Sequence, residues 1–317
     1  MTNMQQAGPA RLVLTASVAR RYYIDGASKV EIADALGLSR FKVARLLDEA
    51  RESGLVRIEI RHAGSVDVEL SERVQAALAL RHCIVVDTPE EDPASLRREL
   101  GTAAARLLTE IVGADDVLGL AWARSVSAMS AALTRLAPCS VVQLTGALSG
   151  ADVHESSIEL VREVARIAGG PASYFYAPLI VPDAATARAL RQQPEVARAM
   201  DLIPSVTVAV AGVGGWSAGQ STLFDAIEPA ERDALHAQGV RADISGILLD
   251  ADAVPVRTAL TERMIGITAE QMLAIPEVIA IAYGIPKTEA LRLAIRGGLV
   301  DGVITHTAVA RGLLDGR

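Results

Sequence analysis

The chain has 317 residues, 50% of them apolar and 22% charged, with 3% aromatic and a net charge of −7. Length and composition fit a globular protein of two domains, one with a sizeable core, and exclude a low-complexity chain. Its apolar stretches are strand-length and broken by Gly, Pro or charge, so no membrane-spanning helix is expected, and residues 1–10 lack the basic and apolar parts of a signal peptide.

Residues 1–10 read as a disordered tail and residues 11–60 as a small domain of their own. Leu12, Val13, Ala16, Ala19 and Tyr23 recur at helical spacing and predict a first helix ending near Asp25-Gly26. Ser28 with Glu31 makes a capping box that opens a second helix, with Val30, Ile32, Ala33 and Leu36 as its apolar face. Gly37 stops that helix in a left-handed turn, Leu38 fills the turn, and Ser39 caps a third helix running to about Ser53-Gly54. Val43, Leu46, Leu47 and Ala50 are the buried stripe of the third helix. Two short helices across a tight glycine turn, the second basic at its start, form a helix-turn-helix pattern. The alternating VRIEIR segment after Gly54 predicts a wing strand.

The first turns of such a helix enter the major groove, which places Arg40, Phe41, Lys42 and Arg45 against double-stranded operator DNA. Arginine bonds a guanine edge in bidentate fashion, Phe41 can meet a thymine methyl, and Lys42 with the Ser28 and Ser39 hydroxyls can reach phosphates. The competing reading is an ordinary helical hairpin whose Arg40, Lys42 and Arg45 form a solvated face. Charge separates the two halves of the chain. Residues 1–60 hold nine Lys or Arg against seven Asp or Glu, which leaves −9 for residues 61–317.

The run VARRYYIDGASKVEIADALGLSRFKVARLLDEARESGLVRIEI resembles the N-terminal domain of the SorC family of sugar-responsive bacterial regulators. Tyr22-Tyr23, Ile32-Ala33, Leu36-Gly37, Ser39-Arg40, Val43, Arg45-Leu46-Leu47, Ala50-Arg51 and Gly54 carry the likeness. Ser28-Lys29 stands where Thr-Gln is common, which implies a different base preference at that corner of the DNA-binding surface.

Residues 61–317 read as a second domain that opens with a linker helix over 66–81, a candidate dimerisation element. Cys83 and Cys139, the only cysteines, lie in apolar surroundings and are expected as reduced core thiols of a cytoplasmic protein, with no disulfide. Strands are predicted at 83–87, 116–121, 140–146, 173–179, 206–214, 245–250, 277–284 and 299–305. Helices are predicted near 95–112, 125–137, 155–168, 183–200, 229–238, 258–274, 287–297 and 306–314. Near-continuous apolar strands alternating with amphipathic helices imply a Rossmann-like α/β domain, its mostly parallel sheet covered on both faces. Ligands of such sheets bind at the carboxyl ends of the strands.

Five strand ends carry polar chemistry. Trp122-Ala123-Arg124-Ser125 passes from strand to helix and can hold a phosphate on its N–H groups, Ser125 and Arg124, or can be an ordinary loop with Ser125 as N-cap. Gln143, in the stretch before Gly146, interrupts an apolar strand, and a sugar hydroxyl is a candidate partner for its amide. Gly212 and Gly214 let backbone approach closely, but the segment lacks the third glycine and acidic partner of a dinucleotide fingerprint, so no cofactor is expected. Asp243 precedes Ser245-Gly246, and Asp250 with Asp252 lacks the rest of a calcium loop. The five histidines show no ligand spacing: His154-Glu155 has no second histidine four residues on, and no metal site is expected. Lys287 is the only lysine after residue 60, at the start of a predicted helix, where a cation is disfavoured unless an anion joins it. A solvated surface lysine is the alternative.

This half also resembles the SorC family's sensor domain, through Trp122–Ser125, Val142–Gly146, Ala177–Asp183, Gly212–Trp216, Asp243–Gly246, Lys287–Ala290 and Arg296–Val300. The resemblance implies a fold like sugar-phosphate isomerases, a phosphorylated-sugar effector, and assembly as a homodimer or homotetramer. Ala123 stands where Gly is usual, Tyr283-Gly284 replaces Gly-Gly, and Thr305-His306 replaces Thr-Asp. Two further readings are a sugar-phosphate isomerase or deaminase using Lys287 and Asp243, and a ligand-independent architectural protein. The second domain's fold permits the enzyme, but fold alone does not assign function.

Overall fold

The computed structural model describes residues 8–56, 66–88, 92–148 and 157–315, within two compact units, Met1–Arg61 and His62–Arg317. The expected wing beyond Val56 and the His154-Glu155 pair lie outside the described residues.

The first unit packs α1 (Pro9–Tyr23), α2 (Lys29–Leu36) and α3 (Arg40–Glu52) around Val18, Ala19, Ile32, Ala33, Val43, Leu46, Leu47 and Ala50. Pro9 begins α1 inside the segment read as a tail, because its missing N–H and fixed φ suit the first helical position. The stripe of α1 that meets the core is Thr15, Val18 and Ala19, and Val13, although at helical spacing, is 68% exposed. Val30 is likewise exposed, and α2 buries Ile32 and Ala33 alone. The punctuation is as read. The Glu31 N–H donates to Ser28 Oγ at 3.3 Å while the Ser28 N–H donates to Glu31 Oε2 at 2.8 Å. Gly37 takes φ 63°, a conformation that a Cβ disfavours, and the Leu38 N–H closes the turn on the Ala33 carbonyl at 2.8 Å. Ser39 Oγ accepts from the Lys42 N–H at 3.2 Å and opens α3.

The second unit runs α4 (Val68–Leu78), β1 (His82–Val86), α5 (Pro93–Ile111), β2 (Val117–Leu120), α6 (Arg124–Ala132), β3 (Ser140–Gln143), α7 (Ser157–Ala168) and β4 (Ala172–Ser173). There follow α8 (Ala184–Arg191), α9 (Pro194–Met200), β5 (Val208–Gly215), α10 (Thr222–Ala226), α11 (Pro229–Ala237), β6 (Ala242–Ile244) and β7 (Ile247–Leu249). The chain ends through α12 (Ala259–Glu262), α13 (Ala269–Leu273), β8 (Glu277–Ile281), α14 (Thr288–Arg296), β9 (Gly302–His306) and α15 (Thr307–Asp315). Strand order is β1-β9-β8-β5-β2-β3-β4, all parallel, with β6 antiparallel to the end of β5 and β7 antiparallel to β6.

Both faces of the parallel sheet are covered, as its near-continuous apolar strands require. On one face Val208, Val210, Ile279 and Ile281 meet α5, α6 and α7. On the other, smaller side chains (Ala209, Ala211, Ala280, Ala282) receive Ala290, Leu291, Leu293 and Ala294 of α14, beside α4 and α15. The helices that follow β2 and β3 lie on one face and those that follow β8 and β9 on the other, with β5 between. Crossovers thus change face near β5, which opens a crevice at its carboxyl end.

Two expectations fail for local reasons. Of the expected 173–179 strand only Ser173, with Ala172 before it, pairs with β3, because the Phe175 N–H bonds a side chain instead of the ladder. The expected 183–200 helix divides before Pro194, whose ring cannot continue it. That side chain is Gln143, fully buried: its amide nitrogen donates to the Thr145 carbonyl at 2.8 Å and Ser157 Oγ at 3.1 Å, and its Oε1 accepts from Phe175 at 3.1 Å. Gln143→Leu strips three bonds from buried partners and is expected to destabilise the chain by about 2–3 kcal/mol in urea denaturation. A change below about 0.5 kcal/mol, the range of a neutral surface substitution, contradicts the brace.

Candidate functional site

In the three-helix unit, α3 turns Val43, Leu46 and Leu47 inward, and helical geometry then points Arg40, Phe41, Lys42 and Arg45 outward. Phe41 is 82% exposed, which no packing requirement explains. Ser28 and Lys29 are exposed at the head of α2, where the Lys29 ammonium sits 5.8 Å from the Tyr22 ring centroid. Ser28 and Ser39 each accept a cap bond through the hydroxyl oxygen, which leaves the hydroxyl hydrogen able to donate.

In the second unit the carboxyl ends of β2, β3, β5 and β8, with the β6–β7 hairpin, enclose a pocket. Nine of the ten expected effector residues line it: Trp122, Ala123, Arg124, Ser125, Gly146, Gly212, Gly214, Asp243 and Lys287. Gln143 does not. Its amide is fully engaged within the fold, so its assignment to a sugar hydroxyl is corrected to the brace described above.

Each wall follows from its strand. After β2, Ala123 is the N-cap of α6 and contributes no side-chain bond, which leaves the first N–H groups of that helix facing the pocket beside Arg124. Ser125 is not the cap: its hydroxyl donates to the Ile281 carbonyl at 3.1 Å and ties α6 to the end of β8. At Gly212 a Cβ would stand 2.5 Å from that of Ala123, and one at Gly214 would overlap the Asp243 carboxylate, so both glycines serve close approach. That approach lets the Ser221 hydroxyl donate to Asp243 Oδ1 at 2.5 Å while accepting from the Phe224 N–H at 3.1 Å as the cap of α10. After β8, the loop carrying Lys287 is fixed by the Gly284 N–H donating to His306 Nε2 at 3.1 Å, and the Lys287 ammonium lies 5.0 Å from the Tyr283 ring centroid. Lys287 is half-buried, so the solvated-lysine alternative does not hold.

Several pocket residues were not among the expected effector residues. Ser221, Thr145 and Tyr283 line it, as does Ser245, whose φ of 53° is unusual for a residue with a side chain. Ser245 and Gly246 are both at positive φ in the two-residue turn joining β6 to β7, as hairpin twist favours. The Ser245 hydroxyl and the Trp122 indole N–H are buried without a hydrogen-bond partner, two polar atoms in the pocket that a ligand can satisfy.

Burial pushes the Asp243 carboxyl up to about 6, against the opposing pull of the Ser221 hydroxyl, the Lys287 charge and the Gly246 N–H. Burial also brings the Lys287 ammonium down to about 8; Asp243 resists that shift, while Arg124 and Arg97 add to it. The two thiols differ from this pair in being inert: Cys83 and Cys139 are free and buried, with Cys83 pushed up to about 12 by burial. Among the described residues no cluster could hold a metal ion.

Folded Asp243 holds its proton more tightly than the unfolded chain does, so from pH 4 to about 6 the native state binds more protons and stability falls as pH rises. Asn cannot ionise. The stability of the native chain relative to Asp243→Asn is therefore expected to drop across that window by up to about 3 kcal/mol, at about 1.4 kcal/mol per pKa unit. Urea denaturation at several pH values measures it, and a pH-independent difference contradicts the buried carboxylate.

Residues 64–315 match the family model described as "Putative sugar-binding domain". The chain is 27% identical over 305 residues to the transcriptional regulator LsrR of Klebsiella pneumoniae, covering 95% of this chain and 92% of that protein. It is 28% identical over 305 residues to the transcriptional regulator YjhU of Escherichia coli K12, covering 92% of each. In fold it is similar to the full-length sorbitol operon regulator SorC from Klebsiella pneumoniae, with TM-score 0.74 at 22% identity over 96% of this chain and 99% of that one. These relatives are regulators, which removes the reading of Lys287 and Asp243 as the working pair of a sugar-phosphate enzyme. The chain belongs to the SorC family of sugar-binding transcriptional regulators.

Proposed function

We propose that the chain is an operator-binding regulator whose α2–Gly37–α3 helix-turn-helix is controlled by a phosphorylated sugar held in the pocket of the second unit. The observation that carries the effector reading is the meeting of two cations, each at the start of a helix, in a pocket that also presents the Thr145, Ser221 and Ser245 hydroxyls, close-approach glycines and one carboxylate, Asp243. Helix N-termini repel Arg124 and Lys287 unless an anion sits between them, and a phosphoryl group suits both the cations and the free N–H groups of α6. Thr145, Ser221, Asp243 and the unpartnered Ser245 hydroxyl offer donors and acceptors for sugar hydroxyls.

At the other end, Arg40 and Arg45 read base edges, Phe41 meets a thymine methyl, and Lys42 with Ser28, Lys29 and Ser39 holds the backbone and flanking bases. The protein acts as a homodimer or homotetramer, so that paired helices reach half-sites at a spacing set by the assembly. The effector shifts the balance between arrangements of those helices by no more than its differential affinity for them.

Two measurements test this. Arg40→Ala and Arg45→Ala are each expected to weaken binding to a selected operator by about 1–3 kcal/mol, and unchanged specific binding in both overturns the recognition-helix reading. A thermal-shift screen of sugar phosphates against free sugars is expected to find a phosphorylated ligand that raises the melting temperature by mass action. Lys287→Ala is expected to abolish that rise. A free sugar that stabilises both proteins equally contradicts the phosphate reading.

A further inference from the structure

A second cavity adjoins the first on the far side of Lys287. It opens over the carboxyl ends of β1, β9 and β8 and shares Arg124, Gln220, Tyr283 and Lys287 with the first pocket. Its own walls add Arg97 from α5, Arg311 from α15, His306 at the end of β9 and Thr307. None of the ion pairs among the described residues involves Arg97 or Arg311. Among the described residues the acid on this wall is Asp87, which accepts from the Thr307 hydroxyl at 3.4 Å.

The cations are grouped around one ring. Tyr283 has the Arg97 guanidinium 6.0 Å and the Lys287 ammonium 5.0 Å from its centroid. A tyrosine ring screens two positive charges only in part, and Arg97 is one of the groups that make the Lys287 ammonium harder to keep. Holding Arg97 and Lys287 against one ring, with Arg311 on the wall of the same cavity, sets like charges together, and an anion placed among them reverses the sign. Guanidinium groups suit that task, because their fork matches the oxygens of a phosphoryl or carboxylate group.

We propose that this second cavity is an anion subsite, taking a phosphoryl or carboxylate group on Arg97 and Arg311, so that Lys287 stands between two bound anions. The inference deepens the effector reading, on which it rests only for the role of Lys287. The second anion is either another charged group of the same ligand or a separate small ion.

Binding of radiolabelled inorganic phosphate to the full chain by equilibrium dialysis at low ionic strength tests it, with R97Q/R311Q and the charge-retaining R97K/R311K alongside. Two phosphates per chain are expected in the native protein, one in R97Q/R311Q and two again in R97K/R311K, which separates loss of charge from loss of fold. One phosphate in the native protein, unchanged in R97Q/R311Q, overturns the subsite and leaves the first pocket standing. One phosphate that R97Q/R311Q abolishes supports the subsite and removes the phosphate from the first pocket. None bound overturns both. Where two bind, displacement of both by one molecule of a sugar bisphosphate identifies a single spanning ligand. Displacement of one by a sugar monophosphate, with the other retained, identifies a separate ion, and either result upholds the subsite.

Discussion

The hydrogen bond between the Ser221 hydroxyl and the Asp243 carboxylate joins the cap of α10 to strand β6, two segments that the chain order keeps apart. It forms because β5 has no side chain at Gly214, so the segment after the strand can fold down onto the β6–β7 hairpin. Much of the pocket follows from that contact. It buries a carboxylate beneath the position of Lys287, stations the cap of α10 at the pocket wall, and brings the strained Ser245 turn to the same place. A side chain at Gly214 would have to displace one of the two partners. The glycine is therefore a condition for the electrostatics of the site rather than a ligand contact.

How much of this was legible depends on whether the cause is local. Helix caps are local: Ser28, Gly37 and Ser39 do in the structure what their spacing implies, since each bond joins residues three to five apart. Parallel strands buried on both faces are legible for a similar reason, as their composition reports burial without naming neighbours. Gln143 was misread because an interrupted apolar strand announces only that a polar group needs partners, not whether a ligand or the protein supplies them. The spacing on α1 announces a helix without its buried stripe, because α1 is apolar on more than one side and contact with the rest of the unit selects Thr15, Val18 and Ala19. Ser221 gave no signal, and Ser245 was legible only as part of the Asp243–Gly246 segment, because a cap and a turn residue owe their place at the pocket to tertiary approach.

The two units handle positive charge in opposite ways. On α3, Arg40, Lys42 and Arg45 are exposed at the start of the helix, where the reach of their charge is set by salt. Around Tyr283 the cations are drawn together and partly desolvated, where mutual repulsion is felt. A surface meant for a long polyanion suits the first arrangement, and a cavity meant for a compact one suits the second. Net charge hides this difference, because the excess of acids in residues 61–317 belongs to the body of the domain.

The scarcity of lysine has a practical side. The chain carries three, and the one in the pocket has its ammonium brought down to about 8 by burial. Near neutral pH a larger share of Lys287 is free amine than is usual for lysine, and the free amine is the form that attacks electrophiles. An acylating reagent thus meets a nucleophile at the mouth of the pocket, and anything bound there shields it. The residue that disfavours an empty site also makes occupancy chemically readable, with no need to know in advance which ligand is present.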